Sequence, residues 1–177
     1  MRSFILSSAA LTLMAALASA GEVTVEGAHL CCGKCVTAAQ KAFEGVEGIS
    51  DVSVDKDAGK VTFTATDMKT ARKGLAALGK AGFAGKTSHD GKEIKGPKGF
   101  KEDGKANSVT IRGLHNCCGG CQKAITGALK SVKGVSGVEC KKKSCEVSGT
   151  EVSFSDLIAA LHEAGLHGNI PQPKKAE

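Results

Sequence analysis

Two seven-residue stretches determine how this sequence is interpreted: His29-Leu30-Cys31-Cys32-Gly33-Lys34-Cys35 and, 86 residues later, His115-Asn116-Cys117-Cys118-Gly119-Gly120-Cys121. Both read His-x-Cys-Cys-Gly-x-Cys, and together they hold six of the eight cysteines and two of the five histidines. Each stretch follows a short β-branched run that ends in glycine, 23–27 and 109–113. Because thiolates and imidazoles are ligands for soft metal ions, we interpret the two loops as a pair of soft-metal sites.

The similarity between the two halves continues beyond the cysteines. At the same offset Phe43 aligns with Leu129, and after a three-residue deletion residues 75–78 align with 158–161. Self-similarity at a fixed period indicates a duplicated domain. We therefore predict a signal peptide at 1–20, a first domain at 21–88, a flexible linker at 89–106, a second domain at 107–171 and a tail at 172–177.

Each half shows the same succession of hydrophobic patterns. The alternation at Val23 and Val25 predicts a half-buried strand, and apolar residues three or four apart from Val36 predict an amphipathic helix. A hairpin, a second helix and a short last strand follow, the last strands near 84–88 and 167–170, with Ser155 as the N-cap of the final helix. The order β-α-β-β-α-β predicts an α+β fold: two tandem ferredoxin-like domains, each an antiparallel sheet with two helices on one face.

The amino terminus has the composition of an export signal. Arg2 is its only charge, about 14 mostly apolar residues follow, and Ala18-Ser19-Ala20 matches a cleavage site. We predict a periplasmic or secreted protein that is cleaved after Ala20. No second apolar stretch is long enough to span a bilayer, so we expect no membrane insertion after cleavage, and we expect a monomer.

Composition argues against nucleic-acid binding and gives no support to catalysis. The net charge of +6 is spread over many lysines, and the chain has no Trp or Tyr, whereas nucleic-acid-binding surfaces combine a basic face with stacking aromatic residues. We find no Ser/His/Asp arrangement and no phosphate-binding glycine loop. We therefore expect a protein that is not an enzyme.

The motifs resemble those of the heavy-metal-associated domains of copper chaperones, periplasmic mercury-binding proteins and metal-pumping ATPases. The shared pattern is a valine-rich strand, a glycine, a C-x-x-C that opens a helix, and then G-V-x-x-V-x-V. It is carried here by Gly27, 32–35 and 48–54 in the first half and by Gly113, 118–121 and 134–138 in the second. The resemblance implies metal binding by Cys32, Cys35, Cys118 and Cys121, and a metal-transporting or metal-accepting protein as a partner.

The loops depart from the family pattern in length and content. Five positions separate Gly27 from Cys32, two more than in the family, and the added residues bring a cysteine and a histidine. The remaining candidates therefore rest on coordination chemistry alone: Cys31, Cys117, His29 and His115. A third sulfur would make a trigonal site, and a histidine would complete the Cys₃His set that is typical of structural zinc.

Thiolates at a helix start suit soft cations, because the free N–H groups there lower thiol pKa values and offset negative charge. We predict an exported protein that sequesters or transfers Cu(I) as the preferred ion, with Zn, Cd or Hg as alternatives. Two other functions remain open. One is a thiol–disulfide oxidoreductase that uses the two C-x-x-C motifs, and the other is a structural module held together by metal or disulfides.

Two further pairs of residues lie outside the repeated loops. Cys140 and Cys145 have no cysteine counterparts in the first half, and they bracket a predicted hairpin tip. We predict a disulfide between them that closes a short loop. His162 and His167 lie near the end of the last helix, and we predict that His167 is a surface residue.

Overall fold

The computed structural model describes residues 20–100 and 104–171. Apart from Ala20, the predicted signal peptide lies outside the described residues, as does the predicted tail. The described chain forms two sheets and four α-helices, all strand pairs being antiparallel. This architecture confirms the predicted α+β fold with two ferredoxin-like units. None of the helices in these ranges is both long and apolar enough to cross a membrane.

The first unit contains the predicted elements in the predicted order. They are β1 (Gly21–Glu26), α1 (Gly33–Lys41), β2 (Ile49–Asp55), β3 (Lys60–Ala65), α2 (Met68–Lys80) and β4 (Lys86–His89), followed by β5 (Lys92–Ile94). The strands lie in the order β2-β3-β1-β4-β5. Val23 and Val25 of β1 are buried with Phe63 and Leu75 in one core, because alternate residues of a strand point to the same face. Helix α2 begins where the Asp67 carboxylate accepts a hydrogen bond from a backbone N–H.

The second unit repeats this plan with a smaller sheet. Its elements are β6 (Lys105–Arg112), α3 (Gly119–Lys130), β7 (Val135–Cys140), β8 (Ser144–Ser153) and α4 (Phe154–Glu163), and the strand order is β6-β8-β7. The predicted last strand at 167–170 is wrong, because only one bridge, between Arg112 and Asn169, forms there. Pairing does not extend to His167, since its N–H donates to the carbonyl of Gly82 and the N–H of Leu114, which would face it, donates to the carbonyl of Lys143.

The start of α4 also differs from the prediction. Ser153, not Ser155, is the N-cap, and its hydroxyl accepts a hydrogen bond from the N–H of Asp156 at 3.3 Å. The helix begins early because the N–H of Phe154 already has a partner, the carbonyl of Gly104. Ser155 therefore lies inside the first turn.

Within the predicted linker at 89–106, the described residues 89–100 and 104–106 include strand β5 and the ends of β4 and β6. Strand β5 pairs with β4 across a tight turn at Asp90 and Gly91, whose φ angles of 49° and 73° are those of a primed hairpin turn. Beyond β5, Pro97 packs against the backbone of Gly79 in the first unit. Gly99 bonds to the second unit through Ile170, so the connection is tied to both units.

The two units meet where the second helix of each one ends. Phe83, after α2, and Leu166, after α4, form an antiparallel bridge, and both side chains are buried. The N–H of Ala84 donates to the carbonyl of Gly165 at 3.2 Å, and the N–H of His167 donates to the carbonyl of Gly82 at 2.9 Å. This reciprocal pairing relates the two units by an approximate twofold axis.

Candidate metal centre

The six loop cysteines are positioned by the amino ends of two helices. Cys32 is the N-cap of α1 and Cys118 is the N-cap of α3, both with extended backbone at φ −157° and −158°. Cys35 and Cys121 follow in the first turns and are completely buried. In each half the third cysteine, Cys31 or Cys117, directly precedes the N-cap.

The sulfurs of both loops lie in one cluster rather than in two separate sites. Across the interface the sulfur–sulfur distances are 3.4 Å for Cys31 and Cys118, 3.7 Å for Cys32 and Cys117, and 3.8 Å for Cys35 and Cys121. The two loops that the sequence analysis interprets as a pair of soft-metal sites therefore lie side by side. The docking of the two units brings the amino ends of α1 and α3 together, so that all six sulfurs lie within one cluster.

Within each loop the extra cysteine faces the same point as the C-x-x-C pair. The sulfur of Cys35 lies 3.6 Å from that of Cys31 and 3.7 Å from that of Cys32. The second loop repeats this geometry at 3.7 Å and 3.9 Å around Cys121. Adjacent residues in an extended segment point to opposite sides, so the chain must turn between Cys31 and the helix for all three sulfurs to converge.

Both loop histidines lie beside the sulfur cluster. A ring nitrogen of His29 is grouped with the sulfurs of Cys31 and Cys121, and one of His115 with Cys35, Cys117 and Cys121, all ligand atoms within 4.8 Å of one another. The buried Nε2 atoms of both rings have no hydrogen-bond partner. Burial lowers both histidine pKa values, which favours the neutral imidazole that a metal requires.

The thiols of the cluster differ in acidity according to their place at the helix start. The backbone N–H of Cys121 and the thiol of Cys31 lower the pKa of Cys118 to about 6, and the N–H of Cys35 lowers the pKa of Cys32. Burial raises the pKa of Cys31, Cys117 and Cys35. The two N-cap sulfurs are therefore the first to become thiolates, the form that binds metal.

One side of the cluster faces solvent. Cys31 is exposed, whereas Cys32, Cys117 and Cys118 are half-buried. A cleft beside Cys118 is lined by Lys34, Lys141 and Lys142. Ions and incoming ligands therefore have access at the edge formed by Cys31 and Cys118, and the cleft wall is positively charged.

The predicted disulfide between Cys140 and Cys145 is confirmed, and it joins the ends of β7 and β8. The hairpin tip that it closes touches the second cysteine loop. The side-chain amide of Asn116 donates a hydrogen bond to the carbonyl of Lys141 at 3.1 Å. The backbone N–H of Leu114 donates to the carbonyl of Lys143 at 3.3 Å. The disulfide thus braces the loop that carries Cys117 and Cys118, a role that the sequence did not reveal.

Two glycines that sequence reasoning did not select make the close approach of the loops possible. A Cβ atom on Gly165, at φ 74°, would collide with the carbonyl of Gly27 and the N–H of His29, and one on Gly82, at φ 93°, with the N–H of His115. Each glycine thus receives the histidine segment of the opposite unit. The visible signal was the Ala-Gly pair at the end of the second helix in both halves, 81–82 and 164–165.

His162 and His167 lie outside the groups of cysteines and histidines described above. His167 is buried, not on the surface as predicted, and its Nδ1 lies 2.9 Å from Nε2 of His162. Burial, with the charge of His162 second, lowers the pKa of His167 to about 4. His167 packs against Gly79 of the first unit and so lies at the interface between the units.

The sequences of both units match one known domain family. The sequence model of the heavy-metal-associated domain matches residues 20–84 and 106–167. Among solved structures, the N-terminal soluble domains of Bacillus subtilis CopA, determined in solution, are 18% identical, with 89% of this chain and 98% of that chain covered at a TM-score of 0.31. A comparison with curated proteins gave no significant match. Since the family model matches more than half of the chain and both of its units, the protein belongs to the heavy-metal-associated domain family, which implies binding or transfer of heavy metals.

Proposed function

We propose that this is an exported protein that sequesters Cu(I), or a related thiophilic ion, and hands it to a partner. The observation that carries the proposal is the convergence of all six free cysteines on one point between two helix starts. Helix amino ends stabilise the negative charge of metal-bound thiolates. Export is proposed from the signal-like sequence at 1–20.

The choice of Cu(I) follows from the chemistry of the donor atoms. In the part of the chain that the structure describes, the groups able to hold a metal consist of cysteine and histidine, without a carboxylate. Thiolates select soft ions such as Cu(I), whereas Mg²⁺ and Ca²⁺ require oxygen ligands. Zinc, cadmium and mercury also bind sulfur and are the competitors to be tested.

Release to a partner would proceed by ligand exchange at the open edge. Cys31 is exposed, so a thiolate of an accepting protein reaches the ion before the buried ligands have to move. A metal-transporting or metal-accepting protein is the partner class that this chemistry suits. The lysines beside Cys118 favour an acidic surface on that partner.

The test is an anaerobic competition between the reduced full chain and a chromophoric Cu(I) chelator. We expect at least about one ion per unit to remain bound at sub-micromolar free Cu(I), as metal sites built from several thiolates allow. The control is the same protein with its thiols alkylated, which should bind none. A reduced chain that binds less than this amount rejects the proposal, and parallel titrations with zinc, cadmium and mercury rank the ions.

A second candidate, a thiol–disulfide oxidoreductase, is favoured by one observation. Cys118 lies in a C-x-x-C at a helix start, and the N–H of Cys121 lowers its pKa to about 6, which is the environment of a reactive thiol. An insulin-reduction assay separates the two functions. Turnover by the metal-free reduced chain would support the redox function, and no activity would remove it.

A further inference from the structure

We propose that the interface between the two units holds a polynuclear Cu(I)–thiolate cluster, in which several ions share six sulfurs, instead of one ion per loop. The inference rests on the proposed function, since it requires that these thiols bind Cu(I). It goes beyond that function by assigning one shared site, its nuclearity and its bridging residues.

The sulfurs are arranged as four triads that share edges. In each triad all three sulfur–sulfur distances lie between 3.4 and 3.9 Å. The triads are Cys32/Cys35/Cys117, Cys35/Cys117/Cys121, Cys31/Cys35/Cys121 and Cys31/Cys118/Cys121. The approximate twofold axis between the units exchanges the outer two triads and also the inner two.

The spacing within a triad matches the requirements of a three-coordinate ion. At the ~2.3 Å metal–sulfur distance known for zinc thiolates, three sulfurs around one ion lie about 4.0 Å apart, and two sulfurs in line with an ion lie about 4.6 Å apart. Cys32 and Cys35, the C-x-x-C pair of the first loop, are only 3.7 Å apart. Each triad is therefore closer to trigonal than to linear coordination, and completing any of them requires sulfur from both units.

Shared edges require that some thiolates bridge two or more ions. Cys35 and Cys121 each belong to three triads, and both are completely buried at the centre of the interface. A thiolate sulfur has more than one lone pair and can bridge. In the four triads Cys31 and Cys117 occur twice each, and Cys32 and Cys118 once each. One three-coordinate ion in each triad gives four ions, with Cys35 and Cys121 as the main bridging sulfurs.

The surroundings of the sulfurs fit a cluster with residual negative charge. Six thiolates and four Cu(I) ions carry a net charge of −2, and the amino ends of α1 and α3 both point at that charge. On the two sides of the sulfur cluster, His29 and His115 have buried Nε2 atoms without hydrogen-bond partners. These nitrogens lie close enough to the sulfurs to add a ligand to an ion of the cluster.

The first experiment measures stoichiometry and structure on the reduced full chain under anaerobic conditions. Cu(I) is added stepwise as its acetonitrile complex, and X-ray absorption is recorded at the copper edge. We expect binding to continue beyond two ions per chain, to about four as the triads indicate, with trigonal sulfur coordination and a copper–copper scattering path. Saturation at two ions per chain without that path overturns the cluster while leaving the proposed function intact. Binding of fewer than about two ions per chain in competition with a chelator would reject both.

The second experiment compares two variants at opposite ends of the sulfur cluster, C32S and C118S. Each sulfur belongs to one outer triad, and serine is a good N-cap, so both helices should still form. In a shared cluster each variant loses about one ion of four and keeps the copper–copper path. If the loops bind ions independently, C32S abolishes the first-loop ion and leaves the second loop unchanged, and that result overturns the proposal. Circular dichroism of both variants confirms folding.

Discussion

The sulfur of Cys31 lies 3.4 Å from the sulfur of Cys118. This is the shortest sulfur–sulfur distance between free cysteines in the described residues. The two residues are 87 positions apart, and each belongs to a different unit. Their proximity depends on the reciprocal pairing of Phe83 with Leu166. The distance therefore reports directly on the docking of the two units.

Mild oxidation of the metal-free protein should join Cys31 to Cys118. The sulfurs need to approach only from 3.4 Å to the ~2.05 Å of a disulfide, and Cys118 is the most acidic of the thiols, with a pKa of about 6. Oxidised glutathione followed by peptide mapping is the measurement. A Cys32–Cys35 bond as the main product would contradict the docked arrangement. Prior loading with Cu(I) should suppress the cross-link.

Thiol labelling should depend on pH in a way that singles out Cys118. The backbone N–H of Cys121 and the Cys31 thiol lower its pKa to about 6, while burial raises the pKa of Cys31. The Cys118 thiolate fraction therefore rises as pH increases through 6, about three units below an ordinary thiol at 9.0. Iodoacetamide at pH 7 should modify Cys118 first, as read by mass spectrometry. Equal labelling of Cys31 and Cys118 would argue against this environment.

Replacing Gly165 with alanine should separate the two units. A Cβ there meets the carbonyl of Gly27 and the N–H of His29, and a left-handed alanine costs a further ~1–2 kcal/mol. Gly45→Ala is the matched control, since Gly45 has the same φ of 74° with nothing within 4 Å of the added atom. In urea titrations both variants should show a free energy of unfolding that is lower by the cost of the left-handed alanine. Only G165A should also lose the Cys31–Cys118 cross-link. Equal cross-linking in the two variants would show that Gly165 does not control docking.

Removing the disulfide should destabilise the second unit without emptying the metal site. For the short loop between Cys140 and Cys145 the chain-entropy relation gives about 2 kcal/mol. The double variant C140A/C145A should lose that amount of unfolding free energy in a urea titration. Its Cu(I) stoichiometry should be unchanged, because no sulfur of the cluster is removed. A loss of bound copper would instead assign these cysteines a part in metal binding.

The local structure of each unit could be predicted because its information lies within short stretches. Val23 and Val25 alternate as a strand requires, and the first residues after Cys32 switch to a helical period. The position of Cys140 and Cys145 on facing strands gave the disulfide. Each of these signals depends on neighbours in sequence, and each was confirmed.

The convergence of the two loops could not be predicted in the same way. It depends on a few backbone contacts at residues 82–84 and 165–167, and hydrophobic periodicity does not describe how one folded unit packs on another. Gly82 and Gly165 have the position of the glycine that commonly ends a helix, so the sequence indicates only that role. In the structure they also leave space for the histidine segment of the other unit. Likewise, the lysine- and glycine-rich composition of 89–106 predicts a flexible linker and gives no sign of β5 or of the contacts of Pro97.

The approximate twofold axis between Cys35 and Cys121 has a consequence for how the site behaves on dilution. Two halves that each supply three sulfurs would, as separate molecules, have to associate, and their complex would dissociate as protein concentration falls. Here one polypeptide carries both halves, so their effective concentration is set by the connection at 89–106 and not by the amount of protein. Such a chain can complete its ligand shell as a single molecule, wherever it is scarce.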